Sequence, residues 1–197
     1  MANVDAPFGL RPIRHFNGSP WNGAYKTFLV EDDYATAFFI GDPCVITGVA
    51  PSDDPSGHYT PIEHISGSTS GEEITGVVVG IEPILTDLSK NYLPASTGGL
   101  VHVCVDTDMV YAIQDDGSAV LDGASIGDNT QIVSGTGSTV TGLSGWELEA
   151  DETAAGDVTY NCLILGVHNV EGNAFGINCI WEVLLNTIYN HDNVLGT

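Results

Sequence analysis

Carboxylates are the groups in this sequence best suited to chemistry. Five pairs stand side by side: Asp32/Asp33, Asp53/Asp54, Glu72/Glu73, Asp115/Asp116 and Asp151/Glu152. Two carboxyl groups about 5–10 Å apart across a cleft are what glycoside hydrolysis needs. Clustered loop oxygens are what calcium needs. All five pairs lie among turn residues, where solvated loop charges are the simpler reading, and no EF-hand pattern surrounds them. Gly142-Leu143-Ser144-Gly145 resembles half of a nucleophile elbow. The full G-x-S-x-G and its strand–turn–helix setting are missing, so the segment reads as a turn. Gly135-Thr136-Gly137-Ser138 is glycine-rich, but no lysine and no helix follow to cradle a phosphate.

The metal-binding side chains are equally dispersed. His15, His58, His64, His102, His168 and His191 show no H-E-x-x-H spacing. His102 and His168 fall in apolar runs and are expected to be hydrogen-bonded wall residues. Cys44, Cys104, Cys162 and Cys179 form no C-x-x-C pair, and each lies in a strand-like run, so buried free thiols are expected. No metal and no cofactor is expected. Of the three tryptophans, Trp181 reads as core. Trp21 reads as an interaction residue.

The elements around these residues are strands. Strand-like runs, most of them alternating, recur at 24–30, 38–47, 74–85, 109–114, 159–170 and 178–189, and 100–105 is apolar on both faces, as a central strand buried on both sides would be. Shorter pieces occupy 119–121, 130–133 and 146–149. Gly41-Asp42-Pro43 signals a turn or bulge, and Asp115-Asp116-Gly117-Ser118 a hairpin turn. Loops are expected at 48–58 and 66–73, and one short helical turn at 87–92. With 24 glycines and nine prolines at turn positions, the expected fold is all-β. It is an antiparallel sandwich or barrel, jelly-roll-like, over residues 24–197 as a single domain. Residues 1–23 are different. Pro7, Pro12 and Pro20 interrupt them, which predicts an extended N-terminal arm. Its apolar residues need a surface to dock on, either this chain's own body or another subunit.

Charge narrows the choice of partner. The chain has 26 acidic and four basic residues, for a net charge of −22. Such a surface repels nucleic acid and anionic membranes. The imbalance is uneven. Arg11, Arg14 and Lys26 face only Asp5 in residues 1–26, while Lys90 is the sole base after them. A lightly cationic leader thus precedes an anionic body. No run reaches the roughly 18 apolar residues of a membrane helix. The opening Met1-Ala2-Asn3-Val4-Asp5 lacks a basic region followed by an apolar run, so synthesis in a cytoplasm without export is expected.

Five segments together carry a resemblance. They are Ala6-Pro7-Phe8-Gly9-Leu10-Arg11-Pro12-Ile13-Arg14-His15, Phe39-Ile40-Gly41-Asp42-Pro43, Gly76-Val77-Val78-Val79-Gly80, Gly142-Leu143-Ser144-Gly145-Trp146-Glu147-Leu148 and Glu171-Gly172-Asn173-Ala174-Phe175-Gly176. With Asn17-Gly18 they resemble head decoration, or cement, proteins of marine and cyanobacterial tailed phages. One departure is Val167-His168-Asn169-Val170-Glu171, which is less basic than that group. The resemblance implies a β-sandwich or jelly roll on the capsid exterior of a virion. The implied partners are the major capsid protein and further copies of the chain, with a trimer favoured over a dimer. Phe8, Leu10, Arg11, Arg14, Phe16 and Trp21 are the expected protein-interface residues of the arm. No catalytic residue is expected. The alternative is a carbohydrate-binding β-sandwich module on the virion surface, and a β-fold hydrolase using two loop acids comes third.

Overall fold

β-Branched and aromatic side chains at alternate positions suit a pleated, half-buried surface. Most segments rich in them are strands. The computed structural model describes residues 3–48, 50–54, 57–65, 72–85, 87–154 and 159–186. Among these it contains eleven strands and no helix. One sheet holds β1 (Arg11–His15), β7 (Met109–Gln114), β8 (Asn129–Val133), β9 (Glu147–Ala154), β10 (Cys162–Val167) and β11 (Ile180–Leu185). Their spatial order is β1-β7-β11-β10-β8-β9. The other holds β2 (Lys26–Val30), β3 (Pro43–Ile46), β4 (Ile62–His64), β5 (Gly76–Ile81) and β6 (Gly99–Cys104), in the order β2-β6-β5-β3-β4. Every strand pairing within the two sheets is antiparallel.

The sheets form a sandwich. Between them lie Tyr111, Ile113, Trp181, Val183, Ile164, Ile132 and Leu148 from the six-stranded sheet, with Val77 and Cys104 from the five-stranded one. Each large apolar side chain so buried is worth about 1.5–3 kcal/mol. The five-stranded sheet is covered on its other face as well. Phe28, Val30, Val78, Val101 and Val103 pack there under Phe38 and Leu93 from connecting segments. This double burial is why residues 100–105 read as apolar on both faces. That stretch became β6, a central strand between β2 and β5.

The N-terminal segment is not wholly the extended arm expected, and it docks on the chain's own body. Residues 11–15 are the edge strand β1, paired to β7 with a register shift between Pro12 and Arg14. Pro12 has no N–H to donate, and a sheet edge is where that is tolerated. Leu10 is 1% exposed, its N–H donating to the Gly41 carbonyl at 3.0 Å. Two glycines make this crossing. A Cβ on Gly9, whose φ is +70°, would lie 2.6 Å from the Gly41 oxygen. One on Gly41, at φ +103°, would lie 2.5 Å from the Phe8 oxygen. Ser144 donates its N–H to Ile40 at the same place, and Gly41 donates to Val78. Four of the five recurrent segments therefore converge on one crossing. The fifth holds Asn3, whose side chain bonds Ala174 and Ile177.

Other boundaries also moved. Residues 119–121 are not a strand, and of residues 38–47 only 43–46 are. Residues 87–92 form turns without a helix. The expected loop at 66–73, the end of the strand at 178–189 and His191 lie wholly or partly outside the described residues.

Candidate functional site

Four of the six interface candidates meet at one place. Phe8, Leu10, Arg11 and Trp21 line a hollow of about 120 Å³, with Ile40 and Leu143 as its floor. The crossing of Gly9 over Gly41 puts them there. The Arg11 guanidinium sits 4.6 Å above the Phe8 ring, a cation–π contact. Arg11 is exposed and makes no ion pair among the described residues. Phe8 and Arg11 also border a second hollow of about 450 Å³ with Asn3, Gln114, Asn173 and Asn178. Gln114 fixes that wall, accepting from Ala6 N–H and donating to the Val4 carbonyl, both at 2.8 Å.

The remaining candidates separate. Leu10 is core, so it presents no side chain to a partner. Arg14 is bound to Glu182 of its own chain, and the other Glu182 oxygen lies 3.0 Å from His168 Nδ1. Phe16 stands apart at 59% exposure. Trp21 is half-buried, its indole N–H directed at the Ala24 carbonyl at 3.4 Å.

A polar network that spacing did not reveal lies beneath a separate, larger hollow of about 590 Å³. Asp42 Oδ2 is 2.8 Å from His64 Nε2, and His64 Nδ1 is 2.9 Å from the Tyr34 hydroxyl. The His64 N–H donates to that hydroxyl at 3.0 Å, which leaves the phenolic proton to point at Nδ1. Nε2 then carries the imidazole proton toward Asp42. Phe38 stacks on the ring, with centroids 3.8 Å apart. Burial raises the Tyr34 hydroxyl above its ordinary pKa, the opposite of what a nucleophile needs.

Comparison with protein-family models, curated proteins and solved structures finds no match for this chain.

The acidic pairs have diverse fates. Asp115, expected as a solvated turn charge, is fully buried. Oδ1 accepts from Asn178 N–H (2.6 Å) and Gly117 N–H (3.1 Å). Oδ2 accepts from Cys179 N–H and the Trp181 indole, both at 2.9 Å. Burial raises its carboxyl pKa, and these donors oppose the rise. The other pairs are exposed or only partly buried, but Asp151/Glu152 lie in strand β9 and not in the turn expected for them. No group of three or more His, Cys, Asp or Glu among the described residues is arranged to hold a metal. All four cysteines are free and buried, and burial raises each thiol, Cys179 to about 11. Thiols so raised are poor nucleophiles. Ser144 is buried, its hydroxyl accepting from Trp146 N–H at 3.0 Å, which is a turn contact.

Proposed function

We propose that this chain is a head decoration subunit of a tailed bacteriophage, bound to the outside of the capsid through its N-terminal segment. The observation that supports this most is the patch of Phe8, Arg11 and Trp21. It is an apolar, cationic spot on a molecule of net charge −22. Arg11 makes no ion pair among the described residues, although Glu171 lines the second hollow that it borders. A capsid carboxylate meeting it would form a charge-assisted, bidentate contact. Phe16, apart from this patch, adds a second exposed apolar side chain of the N-terminal segment. The resemblance described above points the same way, and with it come the major capsid protein as partner and a trimer as the favoured assembly.

The mechanism is linkage. Packed DNA pushes shell subunits apart, and a protein that binds only the closed arrangement stabilises it. A specific contact buries about 800 Å² per partner. Repetition over a shell makes modest single-site affinities sufficient.

Truncating residues 1–22 is a poor test, because it removes strand β1 and the buried Leu10 together. Surface changes are cleaner. Arg11→Glu combined with Phe16→Ser leaves the described core untouched. Purified shells lacking the subunit should take up the parent chain in fixed ratio to the shell protein and lose at least about tenfold in affinity for the double variant. Equal uptake of both proteins would remove the patch from the proposal. Absence of the chain from purified virions would remove the proposal itself.

A further inference from the structure

We propose that the hollow above Asp42 and His64 binds a neutral sugar, one or two residues long. This goes beyond capsid binding and uses a different surface.

The hollow measures about 590 Å³, within the range of small-ligand sites. Its lining mixes ring faces, Phe39 and Trp146, with the hydroxyls of Ser134, Thr136 and Thr139. One wall is the glycine-rich 134–139 segment. Gly137 lies so close against the Phe39 ring that any Cβ there would overlap it, so only glycine allows that approach. Phe39 in turn stacks on Tyr92 at 5.1 Å. The opposite wall is held by the Asp42–His64–Tyr34 network. The site is therefore framed by fixed elements before any ligand arrives.

Two polar atoms of the lining residues point to the ligand's chemistry. Asp42 Oδ2 accepts from Phe39 N–H at 2.6 Å and from His64, while Oδ1 has no hydrogen-bond partner among the described residues. The Trp146 indole N–H has none among them either. Neither atom is enclosed, since Gln131 Oε1 is the one fully buried side-chain polar atom without a partner among the described residues, so both stay open to a ligand or to water. A hydroxyl both donates and accepts, so a polyol can satisfy the two together. The apolar C–H face of a pyranose suits the adjoining ring surfaces. An anionic ligand is disfavoured, because no Lys or Arg lines the hollow and Asp42 would repel it. A metal ion is disfavoured, because no third ligand stands beside Asp42 and His64 among the described residues.

The experiment is saturation-transfer NMR on the full chain. The probes are methyl glucoside and methyl galactoside for a free monosaccharide, maltose and lactose for the end of a longer chain, and glucuronate as the anionic control. At least one neutral sugar should receive saturation at about 20 mM and titrate with a millimolar or lower Kd. Trp146→Phe removes the indole N–H while keeping an aromatic ring, and should weaken binding about tenfold. A thermal melt confirms that this variant is folded. Where it is not, Thr136→Ala, a lining hydroxyl near the surface, takes its place with a smaller expected loss. Transfer to none of the neutral sugars, glucuronate binding as well as the glucoside, or unchanged affinity in the folded variant would each overturn the proposal. Capsid uptake by the Arg11/Phe16 variant reports on the other surface and is unaffected by any of these results.

Discussion

Removing the Asp115 carboxylate would strand four donors at once: the N–H groups of Gly117, Asn178 and Cys179 and the Trp181 indole. Buried donors left unpaired cost about 1–3 kcal/mol each. Asp115→Ala should therefore cost about 3 kcal/mol or more, read as a shift in the urea midpoint. A loss under about 1 kcal/mol would mean that water replaces the carboxylate. Glu147 makes a second, independent case. Its carboxyl is raised to about 7 from 4.5, first by burial and then by Asp5, Asp116 and Asp115. A raised carboxyl holds more protons in the native state than in the unfolded one. Stability should thus fall as pH rises from about 4.5 to about 7. Asp115 and Glu149 are raised too and act in the same direction. Glu31 is lowered, chiefly by its hydrogen bond from Ser52, so its contribution is lost below 4.5 and opposes further gain. Melting temperature should therefore be higher near pH 5 than near pH 8, and Glu147→Gln should flatten the difference. A melting temperature that climbs steadily from pH 5 to pH 8 would contradict this assignment.

At the level of elements, the crossing of residues 8–10 over 40–42 decides where the N-terminal segment lies. Gly41→Ala places a Cβ 2.5 Å from the Phe8 oxygen at a φ of +103°, so the two crossing segments cannot keep their separation. Backbone strain of this kind costs about 1–2 kcal/mol before the overlap is counted. Hydrogen exchange should then accelerate at Leu10 and through β1, while β6 and β11 stay protected. Uniform acceleration would mean that the segment is part of the global unfolding unit. The same crossing shows what the sequence could convey. Strands β5, β6, β7, β10 and β11 are legible because their apolar residues alternate within one short window. Strand β1 is not, because prolines mask it and its burial depends on β7, almost a hundred residues away in sequence. Strand β4, with three residues, is too short to carry a period. Most glycines of the segments that carry the resemblance serve close approaches within this chain. The polar network escaped for a related reason. Tyr34, Asp42 and His64 join across separations of 22 and 30 residues, and no local spacing encodes that.

The whole molecule carries far more charge than its few cations offset. Arg14 is engaged by Glu182, Lys90 lies 4.0 Å from Asp87, and Lys26 sits over the Phe28 ring. Arg11 and Lys26 make no ion pair among the described residues, and Arg11 is the one of the two that borders the Phe8 and Trp21 patch. Salt should therefore act in two opposed ways. The self-repulsion of 26 acids opposes the compact state, and it weakens as the screening length falls from about 30 Å at 0.01 M to about 3 Å at 1 M. Melting temperature should rise across that range. The proposed attachment to a shell through Arg11 would draw on an attraction of opposite charges, so its affinity should fall across the same range. Arg11→Glu should abolish the second response and leave the first, because Arg11 makes no ion pair among the described residues. Calorimetry and sedimentation with shells over one salt series separate the two. If affinity rose with salt alongside melting temperature, the contact would be apolar and Phe8, Phe16 and Trp21 would carry it without the cation.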